Sequence, residues 1–383
     1  MHSAPIRRPA RAALFAGILL AVALPAWPQA AADFDDLARR AESLVDSKPA
    51  EAADLYRQAL AMRPEWAEGW LYLGASLFSL DRYAEATDAF RKGTKLAPEK
   101  GAAWAFLGLC EAALDDPDQA LADIRKGEEL GIGENPGFET FVRVKAAQTL
   151  IRQSAFDEAL AQLVPLSIRN ENSPEIELTM GLCAMAVPSS VAELTPARRA
   201  VVAAAGKAAW ASASKRPAEA AAGYRALLER YPDEPGVHYA YGLYLEETDL
   251  TAALAEFQKE LARSPKHWPT LIVTGGLYTR QGNPAEGAKL LRAALQNAPA
   301  RYRWLVHAEL GRAEMTAGNL QPATSEFETA VRLMPGNAQV HFFLAQVYRR
   351  AGRKDDAARE TAAFEKLKAQ QDPLGVFSFG ARN

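Results

Sequence analysis

The chain has 383 residues, 49% of them apolar and 24% charged, which is the balance of a folded protein and excludes wholesale disorder. Its formal charge is −3, and would be −6 without residues 1–32, which hold Arg7, Arg8 and Arg11 and no acid. That charge excludes the basic footprint of nonspecific nucleic-acid binding.

The N-terminus reads as an export signal over residues 1–32. Three arginines precede the 15-residue apolar run Ala12–Ala26, and Pro28 and Ala30–Ala32 form a cleavage zone. The run is shorter than the roughly 20 residues a membrane-spanning helix needs, so no stable span is expected once the signal is removed. No cysteine lies near it for acylation, and Pro9-Ala10-Arg11 departs from a twin-arginine motif. The mature protein is therefore expected to be periplasmic or secreted.

Residues 67–100 predict two helices joined by a turn at Asp81-Arg82. Trp70, Leu73, Gly74 and Leu77 lie on one face of the first, and Ala86, Ala89, Phe90 and Gly93 on the second, which stops at Pro98. The pattern recurs 34 residues on, with Trp104, Leu107, Gly108 and Ala120 at the places of Trp70, Leu73, Gly74 and Ala86. A fixed period of this length means a supersecondary unit stacked on copies of itself. Before it, residues 33–66 form a worn first copy: Ala52, Tyr56, Ala59 and Pro64 keep the second-helix pattern, while Arg39 and Arg40 replace the tryptophan-glycine face. A polar terminal copy is what a stack needs where it meets water.

Beyond Gly133 the pattern weakens through Ala146, Leu150, Ala159 and Leu163, then breaks near Pro188 and Pro196. Residues 171–200 read as an insertion, as a repeat with a lengthened connection, or as a joint between two halves. Regularity returns over 201–370: Tyr241-Gly242, Thr274-Gly275, Leu310-Gly311 and Leu344-Ala345 mark first helices, and Ala253, Gly287, Ala323 and Ala357 the second ones. The resulting division is a signal at 1–32, repeats over 33–170 and 201–370, the irregular 171–200 between them, and an apolar tail or cap at 371–383.

These residues resemble the tetratricopeptide repeat, with its Trp, Leu-Gly, Tyr, Ala, Phe, Ala and Pro at fixed offsets. The resemblance implies an all-α fold, a right-handed α-solenoid of about 8–9 stacked helix-turn-helix repeats with one irregular insertion. It also implies that first helices line a concave face that binds protein partners. Carried onto this chain, that face takes Leu71, Phe78, Ala105 and Leu109, then Val144, Leu178 and Leu182. Further along it takes Tyr239, Leu243 and Ile272, then Arg312, Phe342 and Arg349. An apolar groove ending in Arg280, Arg312, Arg349 and Arg350 would suit an extended or helical peptide, with the arginines open to a carboxylate. The family's chaperone-tail clamp uses lysine and asparagine where Leu71 and Ala75 stand, so that partner class does not carry over. If the stack or the insertion buries these positions, no large groove remains.

Little else suggests chemistry. Cys110 and Cys183 fall two residues after repeat glycines, four helices apart in the stack. Neighbouring axes lie about 8–10 Å apart, beyond the ~7 Å Cα limit of a disulfide, so both read as buried thiols. His238, His307 and His341 take the tryptophan position and read as packing residues, not metal ligands. No nucleophile elbow, Walker loop or HExxH motif is present, so no cofactor, metal or catalytic residue is expected. The reading is a non-catalytic interaction scaffold of the cell envelope or extracellular space. The alternatives are a binding protein for a small apolar or glycan ligand, and a self-assembling structural protein using the 371–383 tail.

Overall fold

The computed structural model describes residues 28–133 and 135–370. The export-signal run and the 371–383 tail lie outside them. Among the described residues there are nineteen α-helices, two short 3-10 turns and no strand. No helix there is long and apolar enough to cross a membrane. The chain divides between Gln153 and Ser154 into two compact units.

The first unit holds α1 (Pro28–Leu44), α2 (Pro49–Met62), α3 (Ala67–Ser79), α4 (Tyr83–Leu96), α5 (Gly101–Ala113), α6 (Pro117–Leu130) and α7 (Pro136–Arg152). Proline opens α2, α6 and α7, where its missing N–H has no intrahelical partner to lose. The turns after α3 and α5 pivot on Asp81 and Asp115, both left-handed (φ 58° and 64°), a conformation aspartate tolerates better than most residues. Gly74 explains how closely α3 and α4 cross: a Cβ there would lie 2.9 Å from the Phe90 ring. Phe90 stacks on Phe106 of the next pair at 5.4 Å, and Phe106 on Phe138 at 4.5 Å, so aromatic contacts tie repeat to repeat. Trp70, on the same helix face as the buried Leu73 and Leu77, is only half-buried. Its indole N–H donates to the Pro64 carbonyl at 2.8 Å, and the Lys92 ammonium lies 4.2 Å from the ring centroid. Trp104, Pro98 and Lys126 repeat this arrangement.

The second unit begins with α8 (Phe156–Ile168), α9 (Pro174–Ala184), a 3-10 turn (Val191–Glu193), α10 (Pro196–Ala213) and α11 (Pro217–Arg230). There follow α12 (Val237–Glu246), α13 (Leu250–Arg263), α14 (Trp268–Arg280), α15 (Pro284–Asn297) and a 3-10 turn (Ala300–Tyr302). The last are α16 (Arg303–Thr316), α17 (Leu320–Leu333), α18 (Ala338–Arg350) and α19 (Lys354–Gln370).

In the stretch that breaks the sequence pattern, residues 185–195 connect α9 to α10 and include the 3-10 turn Val191–Glu193. Gly181 of α9 and Gly206 of α10 touch backbone to backbone, and a Cβ on Gly206 would fall 1.7 Å from the Glu177 carbonyl oxygen. The other side of α10 receives α11, where a Cβ on Gly223 would meet the Ala208 methyl at 3.0 Å. One helix thus serves two neighbours. From α12 onward the pairs are regular, with Gly311 beneath the Phe327 ring as Gly74 lies beneath Phe90. Cys110 and Cys183 are both free and buried, and burial pushes the Cys110 thiol up to about 12.

Candidate functional site

Burial decides which of the expected concave residues can meet a partner. Leu71, Phe78, Ala105, Leu109 and Val144 of the first unit are all buried, as are Leu178, Leu182, Tyr239 and Ile272 of the second. The cause is visible at Leu71 and Ala105. Leu71 packs where a Cβ on Gly93 of α4 would stand, and Ala105 does the same toward Gly127 of α6. These side chains lie between the two helices of their own repeats. Eight of the thirteen residues of α3 are buried, because it is flanked by helices of its own and adjacent repeats. Charging Leu109 or Leu182, at 5% and 0% exposure, would therefore attack the core before any partner contact.

Leu243, Arg312 and Phe342 are half-buried and Arg349 is exposed. The arginines are not an open clamp: Arg280 pairs with Glu246 at 3.0 Å and Arg312 with Glu309 at 2.9 Å. Arg349 donates to the Ala345 carbonyl at 3.3 Å, and Arg350 is exposed at the end of α18.

Two of the expected residues, Tyr239 and Ile272, come together in a pocket within the second unit. Phe156 and Asp157 enter it from α8, and Tyr239 and Glu246 from α12. Trp268, Pro269, Ile272, Val273 and Arg280 come from α14, and Tyr302, Leu305 and Glu309 from the 3-10 turn and α16. The recess and the open solvent at its mouth together span about 560 Å³.

Its walls are fixed from behind. Trp268 packs against Tyr302 with centroids 4.6 Å apart and lies 6.3 Å from Phe156 in a stacked orientation. Tyr239 is held by the first turn of α12, which opens on Gly236 and has no capping side chain of its own. The fully buried Glu260 supplies the cap from α13, accepting from the Gly236 N–H at 2.9 Å and the Tyr239 N–H at 3.4 Å.

The electrostatics are unusual for a packing void. Burial, then the neighbouring Glu158, pushes the Asp157 carboxyl up to about 8. Among the described residues no hydrogen bond or ion pair engages it, while Glu158 is taken by Arg301 at 3.0 Å. Glu309 is 8% exposed; its Oε1 accepts from Arg312 and its Oε2 has no partner. Gly276 lies against that buried oxygen: a Cβ there would stand 3.1 Å from it and 3.7 Å from the Arg280 guanidinium.

Sequence reasoning reached Tyr239, Ile272 and Arg280 through their repeat positions. It missed Phe156, Asp157, Trp268, Tyr302 and Glu309. The detectable signal was Tyr302, in a segment two residues longer than the 34-residue period between Gly275 and Gly311.

The histidines at the tryptophan position are buried or half-buried and paired. His238 meets Glu256, His307 meets Glu326 and His341 meets Glu360, each at 2.6 Å through Nδ1. Among the described residues no group of three His, Cys, Asp or Glu is placed to hold a metal.

The tetratricopeptide repeat family matches residues 44–99, 80–134, 243–302 and 308–370, just over half of the chain. The chain belongs to the tetratricopeptide repeat family. The unmatched stretch between 134 and 243 includes the shared helix α10, where the repeat arrangement departs most from simple pairing. Among curated proteins, the chain is 34% identical over 143 residues to "Cellulose synthase operon protein C" of Xanthomonas axonopodis pv. citri (strain 306), matching 35% of itself and 10% of that protein. It thus spans about a tenth of the length of that relative. Among solved structures it is similar to MamA 41-end from Desulfovibrio magneticus RS-1, at 21% identity and a TM-score of 0.41, over 45% of this chain and 97% of that one. A MamA RS-1 double mutant aligns at 22% identity and a TM-score of 0.40, over 43% of this chain and 92% of that one. Tetratricopeptide repeats form protein-interaction scaffolds, and the fold is typically non-catalytic.

Proposed function

We propose that this tetratricopeptide repeat protein is an exported, non-catalytic scaffold of the cell envelope or extracellular space that holds a protein or peptide partner. The observation that carries the reading is the pocket between α8, α12, α14 and α16, a recess formed where consecutive repeats meet. The arginine-rich N-terminus followed by a short apolar run supports export, as does the similarity over 143 residues to a protein named for a cellulose synthase operon. The partner-facing residues of this reading are those left accessible, Leu243, Arg312, Phe342 and Arg349, with the buried Tyr239 and Ile272 forming walls of the pocket.

A photo-cross-linking residue at Leu305, which lines the pocket, tests the reading in the native host. One dominant cross-linked protein, recovered from the envelope fraction or the medium, is the expected result. Recovery of the chain only from the cytosol would overturn the export part, and labelling without any enriched partner would overturn the scaffold part. A ligand-binding role has one observation in its favour, the aromatic lining of the same pocket by Phe156, Trp268 and Tyr302.

A further inference from the structure

We propose that the pocket between α8, α12, α14 and α16 is a receptor for one basic side chain, the guanidinium of an arginine or the ammonium of a lysine in the partner. This rests on the scaffold reading above and gives that partner its chemistry. Three observations point the same way.

The first is the unmatched carboxylate. Glu309 is more than nine-tenths buried, lines the pocket, and presents an Oε2 that no donor reaches. A buried carboxylate oxygen left without a donor is costly, and a cationic N–H donor is the partner that best relieves it. The missing side chain of Gly276 leaves room beside this buried oxygen.

The second is the charge of the lining. Asp157, Glu246 and Glu309 stand against a single cation, Arg280, and that cation is already paired with Glu246. A carboxylate ligand would find no free guanidinium to receive it, since Arg280 is taken by Glu246 and Arg312 by Glu309. Asp157 has the complementary behaviour: burial and Glu158 favour its neutral form while the pocket is empty, and a cation beside it would favour the charged form.

The third is the aromatic wall. Phe156, Trp268, Tyr239 and Tyr302 surround the recess, with Trp268 and Tyr302 in contact at 4.6 Å. Aromatic faces beside carboxylates hold a cation by its charge and its apolar stem together. The Tyr239 hydroxyl lies in the field of Asp157 and Tyr302, so the acidic groups and the rings converge on one space.

The test is a titration of the full chain carrying ¹⁵N-labelled indoles, with the Trp268 resonance identified from Trp268→Phe. The probes are N-acetyl-arginine amide and N-acetyl-lysine amide, with N-acetyl-norleucine amide, N-acetyl-glutamate amide and cellobiose as comparisons. A saturable Trp268 shift with arginine or lysine amide, and none with norleucine amide, is expected. Glu309→Gln, close in shape and checked for an unchanged melting transition, should weaken that binding at least tenfold; Asp157→Asn should weaken it too. An equal shift with norleucine amide would make the pocket merely apolar, and a preference for the glutamate amide would mean Arg280 is free; either overturns the proposal. A response to cellobiose alone would assign the pocket to a glycan, and silence to every probe up to about 20 mM, well beyond a millimolar Kd, would also overturn it. Failure here with a partner still cross-linked at Leu305 would leave the scaffold reading intact and remove only the basic-residue receptor.

Discussion

His341 donates from Nε2 to the carbonyl of Pro335 at 3.0 Å, six residues back, as the indoles of Trp70 and Trp104 donate to Pro64 and Pro98 at 2.8 Å. A histidine thus takes over the tryptophan's link between a helix and the turn before it, and adds a second bond, from Nδ1 to Glu360. His341→Phe should lower stability by about 1–3 kcal/mol, because it deletes two half-buried hydrogen bonds, one of them to a carboxylate. His341→Trp should recover part of that loss by restoring the bond to Pro335. Urea unfolding followed by circular dichroism distinguishes them; equal midpoints for the two variants would show that the Pro335 bond contributes nothing.

Phe90 and Trp70 should separate by burial. Phe90 has 0% exposure and stacks within the first unit's core, so Phe90→Ala should cost about 3–5 kcal/mol. Trp70 is half-buried, and Trp70→Ala should cost distinctly less despite removing more atoms. Denaturation midpoints of the two variants give the order directly, and a larger effect at Trp70 would contradict the packing described.

Gly206→Ala should destabilise the second unit by at least the roughly 1–3 kcal/mol typical of overpacking, since the new methyl would stand where the Glu177 carbonyl oxygen is. Gly336, whose Cβ would meet nothing within 4 Å, is the control, and Gly336→Ala should leave stability nearly unchanged. Hydrogen exchange in α9 and α10 reads the difference; normal protection of α9 in Gly206→Ala would refute the close crossing.

Stability should fall as pH rises between about 4.5 and 7, in part through Glu111. Burial, then hydrogen bonding and charge from Asp123, raise this carboxyl to about 7 against the opposing pull of Arg91. The native state then holds a proton that the unfolded chain releases near its ordinary value. The associated stability is present below that value and lost as pH climbs through the folded one. Its size is on the order of 3 kcal/mol, because a tenfold change in proton affinity between the folded and unfolded chain is worth about 1.4 kcal/mol. Glu111→Gln should flatten this segment of the profile, and an unaltered slope in that variant would place the dependence elsewhere.

Binding of N-acetyl-arginine amide should strengthen from about pH 6 to about pH 9 as Asp157, raised to about 8, ionises. The groups facing it are Glu158 on its own helix, Cys183 of α9, Tyr239 of α12, and Arg301 and Tyr302 of the 3-10 turn. Burial raises the thiol and both phenols, keeping them neutral across this range. Asp157→Asn should flatten the trend, and a persisting rise would assign it to another group.

The repeats were legible because Trp70, Leu73 and Gly74 recur at a fixed period, and a period survives translation into stacked helices without knowledge of neighbours. The partner-facing positions were not. Leu71 is apolar whether it lines a groove or fills the gap over Gly93, and only the placement of α4 decides between them. Arg280 and Arg312 looked available because their acids, Glu246 and Glu309, lie 34 residues before one and a single helical turn before the other, with nothing in sequence to favour pairing over solvation. The pocket was hidden for a different reason. Asp157 and Tyr302 lie at distant points of the second unit's chain, and the acid in the first turn of α8 has the sequence look of an ordinary solvated residue.

The double use of α10 has a consequence for how such a chain can change length. Helices arranged in pairs can normally be gained or lost only two at a time, because removing one would exchange inner and outer roles for everything downstream. A helix with glycine or alanine contacts on both sides relaxes that parity, letting an odd number of helices be tiled without inverting the rest. Gly206 and Ala208 thus mark the point where three consecutive helices, α9, α10 and α11, pack without the break that separates one pair from the next.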